Sequence, residues 1–240
     1  MNLLIYKTEQ ELFGDLAAFI IATGEKAIAE KDCFNLVLTG GNSPKKLHQK
    51  LVEEYKDKFD WSKVYFFFGD ERNVPPNHEN YNGLMAKTSL LEPLGIPDRQ
   101  IFYVNTALPP EQAAAAYDRA INEHFNGSDL AFDLVLLGMG DDAHTASLFP
   151  ETPILAEQNP GVASVFVEKL DTYRISMTAP LINKAAHVVF LVFGESKATA
   201  LSKVFDKEIE DTETYPAKLI RPINGSLTWY VDEAAASLLE

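Results

Sequence analysis

The stretch Asn35-Leu36-Val37-Leu38-Thr39-Gly40-Gly41-Asn42-Ser43-Pro44 decides the fold. An apolar run stops at two glycines and gives way at once to helix-opening residues. Ser43 is an N-cap residue type and Pro44 suits the first helical position, so the spacing predicts strand, tight turn, helix. Such a junction presents unpaired N–H groups at a helix N-terminus, and Gly40 and Gly41 let an anion approach them. A simple capped turn is the competing reading of these residues taken alone. A Walker A loop is excluded, because Lys45 and Lys46 follow the proline and no second Gly-Lys-Ser/Thr group stands at the required spacing.

The same alternation extends along the chain. Short β-branched and aromatic runs predict strands at 3–6, 35–39, 64–68, 101–104, 134–137, 164–167, 173–177, 187–193 and 227–231. Helical segments lie between them. Thr8 with Glu11 forms a capping box that opens a helix carrying Leu12, Leu16, Ala17 and Ile20 on one face. Further helices are predicted from near Pro44, Tyr81, Pro110, Pro180, Ser196 and Asp232. The pattern gives an α/β fold: an open, mostly parallel Rossmann-like sheet with helices on both faces. No Gly/Ser- or Pro-rich linker interrupts it, so a single domain over 1–240 is expected.

Composition removes several function classes. The 240 residues include 35 Asp and Glu against 21 Lys and Arg, a net charge of −14. Non-specific binding to nucleic acid or to an anionic membrane needs basic patches, so neither is an expected partner. A small anionic ligand would need a local basic pocket, and only five arginines are available to build one. No apolar run approaches the roughly 18 residues of a membrane span. Lys7 and Glu9 break the N-terminus before a signal-like stretch forms, and the single Cys33 allows no internal disulfide. A cytoplasmic setting and a monomer or small homo-oligomer are expected.

In an open α/β sheet the residues just after the strands face the ligand crevice. Gly69-Asp70-Glu71-Arg72 follows one apolar strand. Arg72 suits a phosphate or carboxylate, and Asp70 suits sugar hydroxyls or a base role; a surface ion cluster is the alternative. Leu134 to Pro150 is richer. Gly138, Gly140 and Ala143 formally match a dinucleotide fingerprint, but the segment is far from the first βαβ unit and Pro150 interrupts any following helix. What remains is a glycine turn presenting Asp142 and His144, where the Asp can fix the imidazole's tautomer and leave the other nitrogen as a base. His48, His78, His124 and His187 lack such company, and no metal-ligand spacing occurs. Arg174 and Lys197 each follow or open a strand and are placed to join the glycine loop around an anion.

In order along nearly the whole chain, Thr39 to Pro44, Gly69 to Arg72, Leu137 to Pro150, Arg174 to Thr178 and Gly194 to Ala198 resemble the glucosamine-6-phosphate isomerase/6-phosphogluconolactonase family. The resemblance implies a phosphate site at Gly40, Gly41, Asn42 and Ser43 with Arg174 and Lys197. It also implies catalysis by His144 with Asp142, supported by Arg72 and Asp70. The substrate would be a small phosphorylated sugar lactone, 6-phospho-D-glucono-1,5-lactone, hydrolysed without metal or cofactor. A phosphosugar deaminase or isomerase is the alternative within the family, but it calls for a carboxylate shortly after the His, and residues 145–149 are Thr-Ala-Ser-Leu-Phe. A non-catalytic sugar-phosphate sensor is the other, and the chain shows no basic helix-turn-helix pattern. The chain departs from the family at Ala143, where Gly is usual and a positive φ would cost about 1 kcal/mol. It departs at Asn42 and Ser43 in keeping an amide and a hydroxyl in place of other donors. Tyr81, in place of a small residue, is expected to narrow the pocket.

Overall fold

The computed structural model describes residues 1–126 and 130–239. Strand β2 (Phe34–Leu38) is buried at every position, so both of its faces need cover, and it lies inside a parallel sheet. The other strands of that sheet are β1 (Asn2–Tyr6), β3 (Val64–Phe68), β5 (Leu134–Gly138), β8 (His187–Val192) and β9 (Ser226–Asp232). Their order is β1-β9-β8-β5-β2-β3, and every neighbouring pair is parallel. Side chains alternate between two apolar clusters. Leu36, Leu38, Phe66 and Leu134 meet one that includes α1 (Glu9–Lys31) and α2 (Asn42–Tyr55). Val37, Phe67 and Val135 meet the other, which includes Ala113, Tyr117 and Ile121 of α4 (Pro110–Phe125). Helices therefore cover both faces, as the sequence predicts.

Between these lie α3 (Asn82–Ala86), which runs on through a π-helical turn at Lys87–Leu91, and later α5 (Ala179–Ile182) and α6 (Ala198–Phe205). The predicted capping box forms, with the Glu11 N–H donating to the Thr8 hydroxyl at 3.2 Å. The strands expected at 164–167 and 173–177 form instead part of a second, antiparallel sheet. In it β4 (Asp70–Arg72), β7 (Thr172–Met177) and β6 (Val162–Val167) stand in the order β4-β7-β6.

Three expectations are corrected. Among the described residues, 101–104 make one parallel bridge, Phe66 to Ile101. The Val104 carbonyl is taken by the Tyr81 hydroxyl at 2.8 Å and the Thr106 N–H at 3.1 Å, so the chain turns away before a ladder can extend. From Asp232 the chain forms turns rather than a helix. The Asp232 carboxylate accepts from the Gly194 N–H at 3.0 Å and from the Ala235 N–H at 2.8 Å, which closes a turn there. Helix α2 begins at Asn42, capped by Gly41 at φ 119°, so Ser43 is not the N-cap and Pro44 is the third helical residue rather than the first.

The sheet places the site. Chain order departs to one side from β2 to β3 and to the other from β5 to β8, making the β2/β5 boundary the switch point where ligands of open α/β sheets bind. Registered pairing there covers only Leu36 with Leu134 and Val37 with Val135, whereas β5 and β8 pair over five positions. The two strands part toward their C-terminal ends, and a crevice opens between the loops that follow them.

Candidate active site

The crevice encloses about 190 Å³. Thr39 and Gly40 after β2 line one side, and Gly138, Met139 and Gly140 after β5 the other. Asp70, Arg72, His144, Ala146 and Lys197 complete it. Four chain segments that are distant in sequence thus converge here. Gly41, Asn42 and Ser43 form the start of α2 directly behind Gly40, outside the lining. Arg174 is also outside the lining but stands opposite Arg72 in the β4/β7 register.

The turn after β5 shapes the histidine. The Gly140 N–H donates to the His144 carbonyl at 2.8 Å and the Ala143 N–H to the Gly140 carbonyl at 3.2 Å, folding the segment back on itself. Asp142 Oδ1 then lies 2.5 Å from His144 Nδ1 and accepts from the His144 backbone N–H at 3.2 Å. A carboxylate only accepts, so Nδ1 carries the proton and Nε2 keeps its lone pair. The ring stacks on Phe149 at 4.0 Å between centroids. Burial pushes the imidazole down to about 4; Asp70 and Asp141 oppose this shift, while Lys197 and Arg174 add to it. His144 is therefore neutral near pH 7 and available as a base.

Ala143 keeps the left-handed conformation, at φ 60°. Its methyl is fully buried in the larger core cluster, and its carbonyl accepts from the Ala217 N–H at 2.9 Å. Burial of that methyl offsets about 0.8 kcal/mol of a strain of about 1 kcal/mol. Ala143→Gly is expected to change unfolding free energy by less than about 1 kcal/mol. A loss of several kcal/mol in a urea titration would show that the methyl, rather than the backbone, governs this turn.

The cationic side is distinct. Among the described residues none of Arg72, Arg174 and Lys197 pairs with a carboxylate. Arg72 donates to the Asn80 carbonyl at 3.0 Å, and Arg174 has a buried Nε without a partner. Burial and the neighbouring Arg72 both lower the pKa of Arg174. Two guanidinium groups set side by side repel, and a bound dianion relieves that repulsion. Cationic side chains are thus concentrated at this crevice in a chain that is acidic overall.

Asp70 has one oxygen held by the Ser147 hydroxyl at 2.6 Å. Its sequence neighbour Glu71 turns the other way. Glu71 is fully buried and accepts from the N–H groups of Arg72, Asn82 and Gly83 at 2.8, 2.7 and 2.9 Å, tying β4 to the start of α3. Burial pushes its carboxyl up to about 8, and the three N–H groups pull against that shift. Asn82 donates to the Asp70 carbonyl at 2.9 Å, and its carboxamide packs against Gly40, so it joins the two loops. Tyr81 does not narrow the crevice: it is buried, with its hydroxyl on Val104. The remaining histidines have structural partners: His48 on Ser89, His124 on Asn35, His187 on Ser226, and His78, whose Nδ1 accepts from the Asn80 N–H at 3.1 Å. Ser147, Asn82, Phe149 and Lys169 were not singled out by their sequence context. Ser147 had a usable signal, three residues past His144; Lys169 had none, being 25 positions away on another sheet.

An open parallel sheet whose switch point joins an oriented, neutral histidine to unpaired cations defines an α/β protein suited to general-base chemistry on a small anion. A family model described as glucosamine-6-phosphate isomerases/6-phosphogluconolactonase matches residues 7–229. A 6-phosphogluconolactonase of Synechocystis sp. is 42% identical over 219 residues, covering 89% of this chain and 88% of its own. A probable 6-phosphogluconolactonase 1 of Arabidopsis thaliana is 38% identical, covering 98% and 92%. The solved structure of a 6-phosphogluconolactonase from Trypanosoma cruzi superimposes with a TM-score of 0.88 at 26% identity, covering 99% and 96%. The chain belongs to the glucosamine-6-phosphate isomerase/6-phosphogluconolactonase family.

Proposed function

We propose that the chain hydrolyses 6-phospho-D-glucono-1,5-lactone to 6-phospho-D-gluconate, the lactonase step of the oxidative pentose phosphate pathway. The observation that carries this reading is His144, neutral, oriented through Nδ1 by Asp142, and facing the crevice beside unpaired cations. The relatives named as 6-phosphogluconolactonases support it. No carboxylate follows His144 within residues 145–149, which speaks against aminosugar-phosphate deamination.

In the proposed reaction, His144 Nε2 takes a proton from water as its oxygen attacks C1 of the lactone. The tetrahedral intermediate collapses with cleavage of the C1–ring oxygen bond, and the imidazolium returns the proton to that oxygen, which becomes the C5 hydroxyl. The new carboxylic acid then releases a proton to solvent. Arg72 offsets the negative charge that develops on the carbonyl oxygen. Asp70, held by Ser147, positions sugar hydroxyls. The phosphate is assigned to Lys197 and Arg174 with Gly40, Gly41, Asn42 and Ser43 at the N-terminus of α2. This anchors the substrate through a group that does not react.

Acid release from freshly generated lactone, followed in a pH-stat and corrected for spontaneous opening, tests the reading. Acceleration is expected, and its absence, or ammonia release from glucosamine 6-phosphate instead, overturns it. The base form of His144 is required, so kcat/KM should fall as pH drops through about 4 and stay level above about 5. An acid limb near 6.5, the value for an ordinary solvated imidazole, would contradict the buried environment of this base.

A further inference from the structure

Asp142 is fixed at both oxygens. Oδ1 meets the ring and backbone nitrogens of His144, and Oδ2 forms an ion pair with Lys169. Lys169 stands in the turn Glu168–Leu170 between β6 and β7, so it reaches Asp142 from the antiparallel sheet. Its ammonium also lies 4.9 Å from the centroid of the Phe149 ring, the ring on which His144 stacks. One side chain thus touches both groups that hold the imidazole. The Asp142 side chain is 24% exposed, and it borders a depression lined by Pro150, Phe166 and Val167.

The geometry points to Lys169 as a positioning residue that locks the Asp142 carboxylate onto His144 and balances its charge, keeping the imidazole in its basic, neutral form. The role in turnover rests on the hydrolytic function proposed for His144; the coupling between the two side chains does not. Other charges face His144 as well: Asp141 and Asp142 from its own turn, Asp70 from β4, Arg174 from β7, and Lys197 from the turn before α6. Arg72 lines the same crevice. These stay in place when Lys169 is changed. Removing its charge leaves Asp142 uncompensated, and an uncompensated carboxylate beside an imidazole favours the imidazolium.

Lys169→Met keeps the apolar stem over Phe149 and removes the charge, Lys169→Gln keeps a donor without charge, and Lys169→Arg keeps both. The ammonium is half exposed, so solvent screens it and the expected shift is moderate. In the free protein, the NMR titration of the His144 Cε1–H, assigned by its loss in His144→Ala, should move upward by about half to one pH unit in the Met and Gln variants. It should return in the Arg variant. Under the hydrolytic reading the acid limb of kcat/KM moves with it, and kcat falls severalfold at unchanged KM. Superimposable titrations for wild type, Met and Gln, with unchanged unfolding midpoints, overturn the inference. A shifted titration in a protein without lactonase activity supports the coupling and rejects the hydrolytic role.

Discussion

His144→Ala is expected to lower kcat for lactone hydrolysis by about 10²–10⁴-fold while KM stays within a few-fold of wild type. That range corresponds to about 3–5.5 kcal/mol of lost transition-state stabilisation. The split between kcat and KM follows from the layout of the crevice. His144 stands on the loop after β5, whereas the groups assigned to the phosphate come from the loops after β2 and β8 and from β7. The loss has a ceiling because the lactone is already electrophilic and Arg72 remains to face the developing charge. Folding should survive, since the ring carries no charge near pH 7 and its removal leaves Asp142 paired with Lys169. Stopped assays on fresh lactone, with the unfolding midpoint measured beside them, check both halves. Near-wild-type acid release from a folded variant would remove His144 from the mechanism.

Most of the sheet was legible because its strands are buried on both faces and read as continuous apolar runs. Phe34–Leu38 and His187–Val192 are of that kind. The segment 101–104 has the same composition, but a strand also needs a partner to continue with, and its carbonyl at Val104 is claimed by Tyr81 and Thr106. The Tyr81 contact spans 23 positions and leaves no local trace. The start of α2 was misread for the opposite reason. Ser43 and Pro44 are good local signals, yet Gly41 at φ 119° enters the helix earlier than either.

The site divides in the same way. Asp142 and His144 are two residues apart, and their pairing at 2.5 Å was readable from spacing. Asp70, Glu71 and Arg72 were read as one charged group, and the strand period separates them: Asp70 and Arg72 point to the crevice while Glu71 turns inward to cap α3. Arg174 reads from sequence as a cation opening a strand, but its place opposite Arg72 depends on the antiparallel register of β4 and β7. Lys169 depends on the β6–β7 hairpin of the same sheet, whose turn carries it. Residues that act through a second sheet become visible only once the two sheets are assembled.

The sharpest geometric prediction separates two glycines of the same Gly-Met-Gly turn. A Cβ built on Gly140 would lie 2.1 Å from His144 Nδ1 and 2.5 Å from Asp142 Oδ1, whereas one on Gly138 meets nothing within 4 Å. The first added methyl occupies the space where the Asp–His hydrogen bond forms. The second enters open space at the crevice wall. Gly140→Ala must therefore either part Asp142 from His144 or open the turn closed by the Gly140 N–H on the His144 carbonyl. A displacement of about 1 Å at a reacting group costs on the order of 10²-fold, so kcat should fall by at least about that factor with KM little changed. Gly138→Ala should do the reverse, keeping kcat within a few-fold and raising KM as the methyl takes volume from a crevice of about 190 Å³. The two variants differ by one methyl at positions two residues apart, so a shared loss of stability cannot imitate opposite effects on kcat and KM. Equal losses in kcat from both, with both proteins folded, would mean that the turn as a whole, and not the seat of the Asp142–His144 pair, governs turnover.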